Sequence, residues 1–158
     1  MTAEPILLSL DNPVFHAYAV AAGIMILKLM LQPWMTVLRM TRAGGGYRSP
    51  EDAKQSPLNP NPVAGQLDAN EYVERSRRIN LNDLESIPGF LAAGLLLVLA
   101  DPPVLPAQIL IWTYVAARAA HFIAYLTAQL HDVRALCWSF SSLPVIAMAG
   151  YVLFNALL

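Results

Sequence analysis

Long stretches of this chain carry no charge, and they constrain its fold more than any other feature of the sequence. Residues 86–100 and 135–158 contain no charged side chain at all. A helix that crosses a membrane needs about 20 predominantly apolar residues, and 56% of the 158 residues are hydrophobic whereas only 13% are charged. The sequence therefore predicts a single all-α integral membrane domain, a bundle of four helices over about residues 13–38, 72–100, 105–130 and 134–157.

The segment between the first two predicted helices, about residues 39–71, is polar and rich in glycine and proline. Such a composition disfavours regular structure. We therefore predict a loop there, with a short helical turn after Ser49-Pro50-Glu51.

Basic residues are distributed unevenly along the chain. Seven of the ten Lys and Arg residues lie between the first and second predicted crossings, namely Arg39, Arg42, Arg48, Lys54, Arg75, Arg77 and Arg78. Because Lys and Arg are enriched on the cytoplasmic side of membrane helices, this side is predicted to be cytoplasmic. Both termini are then predicted on the opposite side of a bacterial inner membrane or the endoplasmic reticulum. The net charge of −1 argues against a nucleic-acid partner, and no metal site is predicted.

Two of the predicted helices each carry three polar side chains on one narrow stripe. The stripes are Arg78, Asn82 and Glu85 on the second helix, and Arg118, His121 and Tyr125 on the third. At about 100° per residue, each trio falls within roughly 60° of the helix surface. Polar groups on a membrane helix face protein, water or a ligand rather than hydrocarbon. With the predicted topology, both stripes and Arg134 meet at the cytoplasmic edge of the membrane.

This set of side chains suits a small peptide-like zwitterion. Arginine side chains bind carboxylates through two parallel hydrogen bonds, and Glu85 is placed to accept an ammonium group. Two other interpretations stay open from the residues alone. The polar groups pair only with one another and hold the helices together, or they line the pore of a channel or transporter subunit.

Lys28 interrupts the first predicted helix. It lies deep enough that a buried partner is expected, and Asp83 is the candidate because it points about 140° away from Arg78 on the second helix. The alternative is that the Lys28 amine reaches the membrane surface along its own aliphatic stem.

Three sequence segments together resemble the MAPEG family, membrane-associated proteins of eicosanoid and glutathione metabolism. They are residues 73–85, residues 118–126 and Arg134, and the similarity extends from about residue 13 to the end of the chain. The resemblance implies a homotrimer of four-helix subunits, with glutathione bound between neighbouring subunits near the cytoplasmic face. The glutathione ligands it implies are Arg39, Arg78, Asn82, Glu85, His121, Tyr125, Arg134 and Trp138. Arg118, the deepest polar residue of its stripe, is assigned to the interior of the trimer instead.

The resemblance also implies the chemistry. A thiol with a pKa of about 8.5 is mostly protonated at neutral pH, and a guanidinium beside the sulfur favours the reactive thiolate. Arg134 is predicted to have this catalytic role. The expected function is a membrane-bound glutathione transferase acting on lipophilic electrophiles, with peroxidase activity on lipid peroxides or isomerase activity of the prostaglandin E synthase type as further options. The alternative within the family is a non-catalytic scaffold that binds membrane lipid.

Three positions depart from the prostaglandin-isomerising branch of the family. Ala135 stands where that branch has a serine, Leu81 where it has an arginine, and Trp138 where it has a tyrosine. These three changes are expected to affect a specific isomerisation activity more than the general activation of a thiol. Ser139 is a candidate to supply the missing hydroxyl, and Asp52 resembles a loop aspartate of that branch, with a solvated loop charge as the equal alternative.

Overall fold

The computed structural model describes residues 6–158, and the elements within this range are helical. Four long helices follow one another: α1 Pro13–Ala43, α2 Glu71–Leu99, α3 Val104–Leu126 and α4 His131–Leu157. Each of them is long and apolar enough to cross a membrane. A 3₁₀-helix, Pro50–Ala53, lies between α1 and α2 where the short helical turn was expected. The predicted all-α fold with four membrane helices is confirmed.

The C-terminal ends of α1 and α3 differ from the predicted ones, and each is followed by a residue with a positive φ. α1 continues to Ala43 rather than ending near residue 38, and Gly44 then takes a φ of 60°, a left-handed conformation that commonly terminates helices. α3 stops at Leu126 rather than near residue 130, because Ala128 has a φ of 56°. As a result, Arg39 lies inside a helix instead of at the start of the loop.

The described residues form two compact units, one made of Lys28–Asp83 and the other of residues 6–27 together with Leu84–Leu158. Polar contacts join α1 to α2 inside the Lys28–Asp83 unit. Lys28 Nζ lies 2.5 Å from Asp83 Oδ2, and the Asp83 side chain is fully buried. The predicted Lys28–Asp83 pair is confirmed. Gln32 Nε2 donates to the carbonyl and the hydroxyl oxygen of Ser76, at 3.1 and 3.0 Å.

The segment between α1 and α2 has an ordered interior of its own. The side-chain amides of Asn59 and Gln66 are buried and donate to each other, at 2.8 and 3.1 Å. Arg77 donates from Nη2 to the carbonyl oxygen of Gly46 at 2.7 Å, and it also pairs with Glu74. The amide pair orders the loop from within, and Arg77 joins the loop to α2. The glycine and proline content did not indicate either contact.

Aromatic rings fill the centre of the other unit. Tyr18 lies against Phe90, whose ring stacks on that of Tyr114 with 4.0 Å between centroids and an interplanar angle of 3°. The Tyr18 hydroxyl donates to the carbonyl oxygen of Leu91 at 2.8 Å, and the Tyr114 hydroxyl lies 3.0 Å from Ser86 Oγ. Both phenol groups therefore have a partner inside the apolar part of the protein.

Gly94 lets the Tyr18 ring approach the backbone of α2. A Cβ atom at this position would lie 2.7 Å from Tyr18 Cε2. We expect Gly94→Ala to lower the free energy of unfolding by about 1–2 kcal/mol, because overpacking outweighs the higher helix propensity of alanine. Gly89→Ala is the matched control, since its Cβ would meet only Val145 at 3.9 Å. Thermal unfolding in detergent measures both variants, and equal melting temperatures would contradict the expected clash.

Candidate functional site

The polar stripe of α3 faces the interior of its unit. The buried residues of this helix are Ala107, Ile111, Tyr114, Arg118, His121 and Ala124, which recur at the three- and four-residue spacing of one helix face. Arg118 is 0% exposed and His121 only 2%. The prediction that these two polar side chains face protein rather than hydrocarbon is therefore confirmed.

Three of the predicted site residues meet where α3 ends and α4 begins. The ring centroids of His121 and Tyr125 are 5.0 Å apart, in an edge-to-face arrangement. The guanidinium carbon of Arg134 lies 4.7 Å from the centroid of the Tyr125 ring, so the cation is held over the aromatic face. Because only a few residues separate Leu126 from His131, the last turn of α3 and the first turn of α4 are held close together. We call His121, Tyr125 and Arg134 the Tyr125 cluster.

One hydrogen-bond donor of Arg134 has no acceptor within the described part of the chain. Its Nε is buried, and it has no hydrogen-bond partner among residues 6–158. A buried donor without an acceptor costs free energy, and a guanidinium keeps its charge at any physiological pH. The Tyr125 cluster therefore suits an anionic acceptor, and the predicted thiolate of glutathione is such a group.

Other predicted residues of the same unit lie nearer its surface. Trp138 is one turn beyond Arg134 on α4 and 45% exposed, and Glu85 is exposed on α2. The Ser139 hydroxyl donates to the carbonyl oxygen of Ala135 at 3.0 Å. Its proton is thus engaged by its own helix, which weakens Ser139 as the replacement for the missing serine.

The remaining predicted ligands belong to the Lys28–Asp83 unit. Arg39 reaches α2 from α1, whereas Arg78 and Asn82 lie on α2 itself. Arg39 is 7% exposed; it donates from Nη1 to the carbonyl oxygen of Tyr72 at 2.9 Å and stacks on that ring at 4.5 Å. Arg78 pairs with the carboxylate of Glu71. Asn82 donates from Nδ2 to the carbonyl oxygen of Arg78 at 2.8 Å. An arginine, an amide and a carboxylate thus follow one another along α2, namely Arg78, Asn82 and Glu85.

The sequence analysis did not predict Glu71 as the partner of Arg78 or Tyr72 as the partner of Arg39. Glu71 precedes Arg78 by seven residues, and seven steps of about 100° return to nearly the same direction. This spacing was readable in the sequence and would have identified the pair. The contact between Arg39 and Tyr72 had no such signal, because it joins two helices across the loop.

Comparisons with known proteins give a consistent result. The sequence model that describes the MAPEG family matches residues 17–154 of this chain. Microsomal glutathione S-transferase 1 of Homo sapiens is 39% identical over 128 residues, which is 80% of this chain and 81% of that protein, and the Sus scrofa protein is 38% identical over 130 residues, 82% of each chain. Prostaglandin E synthase of Homo sapiens is 25% identical over 150 residues, 94% of each chain. Identity is thus higher to these transferases than to the synthase.

Proposed function

Because this chain belongs to the MAPEG family, we propose that it is a membrane-bound glutathione transferase that joins the thiol of glutathione to lipophilic electrophiles. Two relatives named as glutathione transferases are 38% and 39% identical to it over about four fifths of its length. Four helices are long and apolar enough to cross a membrane, which supports access of apolar substrates from the lipid. The observation that carries the proposal is the buried, unpartnered Nε of Arg134 in the Tyr125 cluster.

Arg134 is the proposed catalytic residue. Glutathione supplies a sulfur nucleophile that reacts as the thiolate, and a fixed cation beside the sulfur favours that form over the thiol. The Tyr125 ring holds the guanidinium in place from one side. Since the charge is positioned before the substrate binds, little of its effect is lost to reorganisation.

The other polar residues are proposed to bind the charged ends of the tripeptide. Arg39, Arg78 and Asn82 supply donors for its carboxylates, and Glu85 an acceptor for its ammonium group. His121 and Tyr125 extend the polar lining next to Arg134, while Trp138 offers an exposed ring.

The proposal includes an assembly and an orientation. We propose a homotrimer with glutathione bound on the cytoplasmic side and both termini opposite. The orientation is supported by the seven of ten basic residues that lie between the first and second crossings. The buried residues of α4 are only Ser141, Pro144 and Met148. Most of its apolar surface is therefore available to lipid, apolar substrates or neighbouring copies of the chain.

Turnover assays on the purified protein in detergent test this function. With glutathione present, we expect conjugation of an aryl halide to exceed isomerisation of prostaglandin H, and reduction of a lipid hydroperoxide is assayed in parallel. The expectation follows from Ala135, Leu81 and Trp138, which depart from the synthase branch. Isomerisation as the dominant activity would contradict the transferase assignment, and the lack of any glutathione turnover would favour the lipid-binding scaffold.

A further inference from the structure

One guanidinium of the proposed glutathione site is already bound by a carboxylate of the same helix. Arg78 donates from Nη2 to Oε1 of Glu71, two turns earlier on α2. Arg75 Nη2 lies 3.8 Å from the same oxygen atom. Because residues seven apart point in nearly the same direction, α2 alone brings Glu71 onto the face that carries Arg78.

This contact is exposed enough to open. The side chains of Arg78 and Glu71 are 42% and 66% exposed, and ion pairs in such positions contribute little to stability. Glu74, one turn later, is different: its carboxylate is only 20% exposed, and it joins Arg77 to Arg48 of the loop. Glu74 therefore fastens the loop to α2, whereas Glu71 is free to be displaced.

We infer that Glu71 competes with a carboxylate of glutathione for Arg78, and so lowers the affinity of the site. The inference rests on the proposed function, because it takes Arg78 as a ligand of the tripeptide. A peptide carboxylate offers a guanidinium the same pair of acceptor oxygens as a glutamate side chain. A substrate carboxylate that accepts the Nη2 hydrogen now donated to Glu71 displaces Glu71 from Arg78.

The competition with Glu71 affects only those thiols that interact with Arg78. A thiol that carries a carboxylate recovers the interaction of Arg78 when it displaces Glu71. A neutral thiol recovers nothing, so it leaves the Glu71–Arg78 pair closed. Glu71 thus lowers the affinity of the site for anionic peptide thiols and leaves its affinity for neutral thiols unchanged.

Calorimetric titration of glutathione into the purified protein tests this role. Glu71→Gln removes the charge and keeps the shape of the side chain, and we expect its Kd to be about two- to fivefold lower than that of the wild type, the range that loss of one exposed ion pair allows. Glu51→Gln is the matched control, because Glu51 is exposed and has no ion pair among residues 6–158. Its Kd should equal that of the wild type.

The same substitution in an Arg78→Ala background shows whether the effect passes through Arg78. Binding should be weaker there, and adding Glu71→Gln should change it no further. A Glu71→Gln protein that binds glutathione no more tightly than the wild type, or that gains as much affinity without Arg78, would overturn the competition and leave the proposed function standing. A wild-type protein that does not bind glutathione would overturn both.

Discussion

Replacing Arg134 with alanine is expected to lower kcat/KM for conjugation of glutathione to an aryl halide by about 100-fold or more. This is the size of effect seen when a preorganised charged or hydrogen-bonding group is removed from a developing or bound anion. The structure supports it through the buried Nε that has no acceptor among residues 6–158 and through the Tyr125 ring 4.7 Å from the guanidinium carbon. Steady-state rates at saturating aryl halide and varied glutathione give the value.

Two further variants make this result specific. Arg42→Ala removes an exposed arginine at the end of α1, and it should retain wild-type kcat/KM. Arg134→Lys keeps the charge but lacks the planar donor set, and we expect activity between those of the wild type and the alanine variant. Equal losses in the Arg42 and Arg134 variants would show that overall charge matters rather than the Tyr125 cluster.

Loss of one partner of the Lys28–Asp83 pair is expected to have the largest effect on stability. The Asp83 side chain is fully buried and that of Lys28 is 16% exposed. Breaking a buried ion pair leaves an uncompensated charge and typically costs about 3–5 kcal/mol. We expect Lys28→Met and Asp83→Leu each to lower the free energy of unfolding by that amount, measured by denaturation in detergent micelles.

The double variant Lys28→Met/Asp83→Leu separates the loss of a contact from the cost of an isolated charge. Because it leaves no buried charge behind, its stability should return to within about 1 kcal/mol of the wild type. Arg48→Ala is the control, since the Arg48–Glu74 pair has an arginine that is 67% exposed and should contribute less than about 1 kcal/mol. Single variants no less stable than Arg48→Ala would contradict a buried ionic contact.

The sequence was most informative where membrane burial restricts the choice of residues. A lysine inside an apolar helix is expected to have a partner, and the angular position of Asp83 on the next helix made it the candidate that the structure confirms. The same reasoning applied to Arg118 and His121, because polar groups on a membrane helix face protein, water or a ligand rather than hydrocarbon. Both are buried in the structure.

Contacts made by ordinary residues could not be predicted in this way. Gln32 and Ser76 bond to each other inside the Lys28–Asp83 unit, yet neither stands out in its helix. The partner of Arg39 was missed because its stacking on Tyr72 depends on α1 reaching Ala43. Helix ends are set by local φ values such as that of Ala128, which the sequence does not display.

We propose that this membrane protein binds glutathione and holds it as the thiolate beside Arg134. The ultraviolet difference spectrum of the purified protein on addition of glutathione tests it most directly, because a thiolate absorbs where a thiol does not. We predict that the thiolate band appears near neutral pH in the wild type and in Arg42→Ala, and is absent in Arg134→Ala. Calorimetric binding of glutathione without this band in the wild type, or an equal band in Arg134→Ala, would contradict the account.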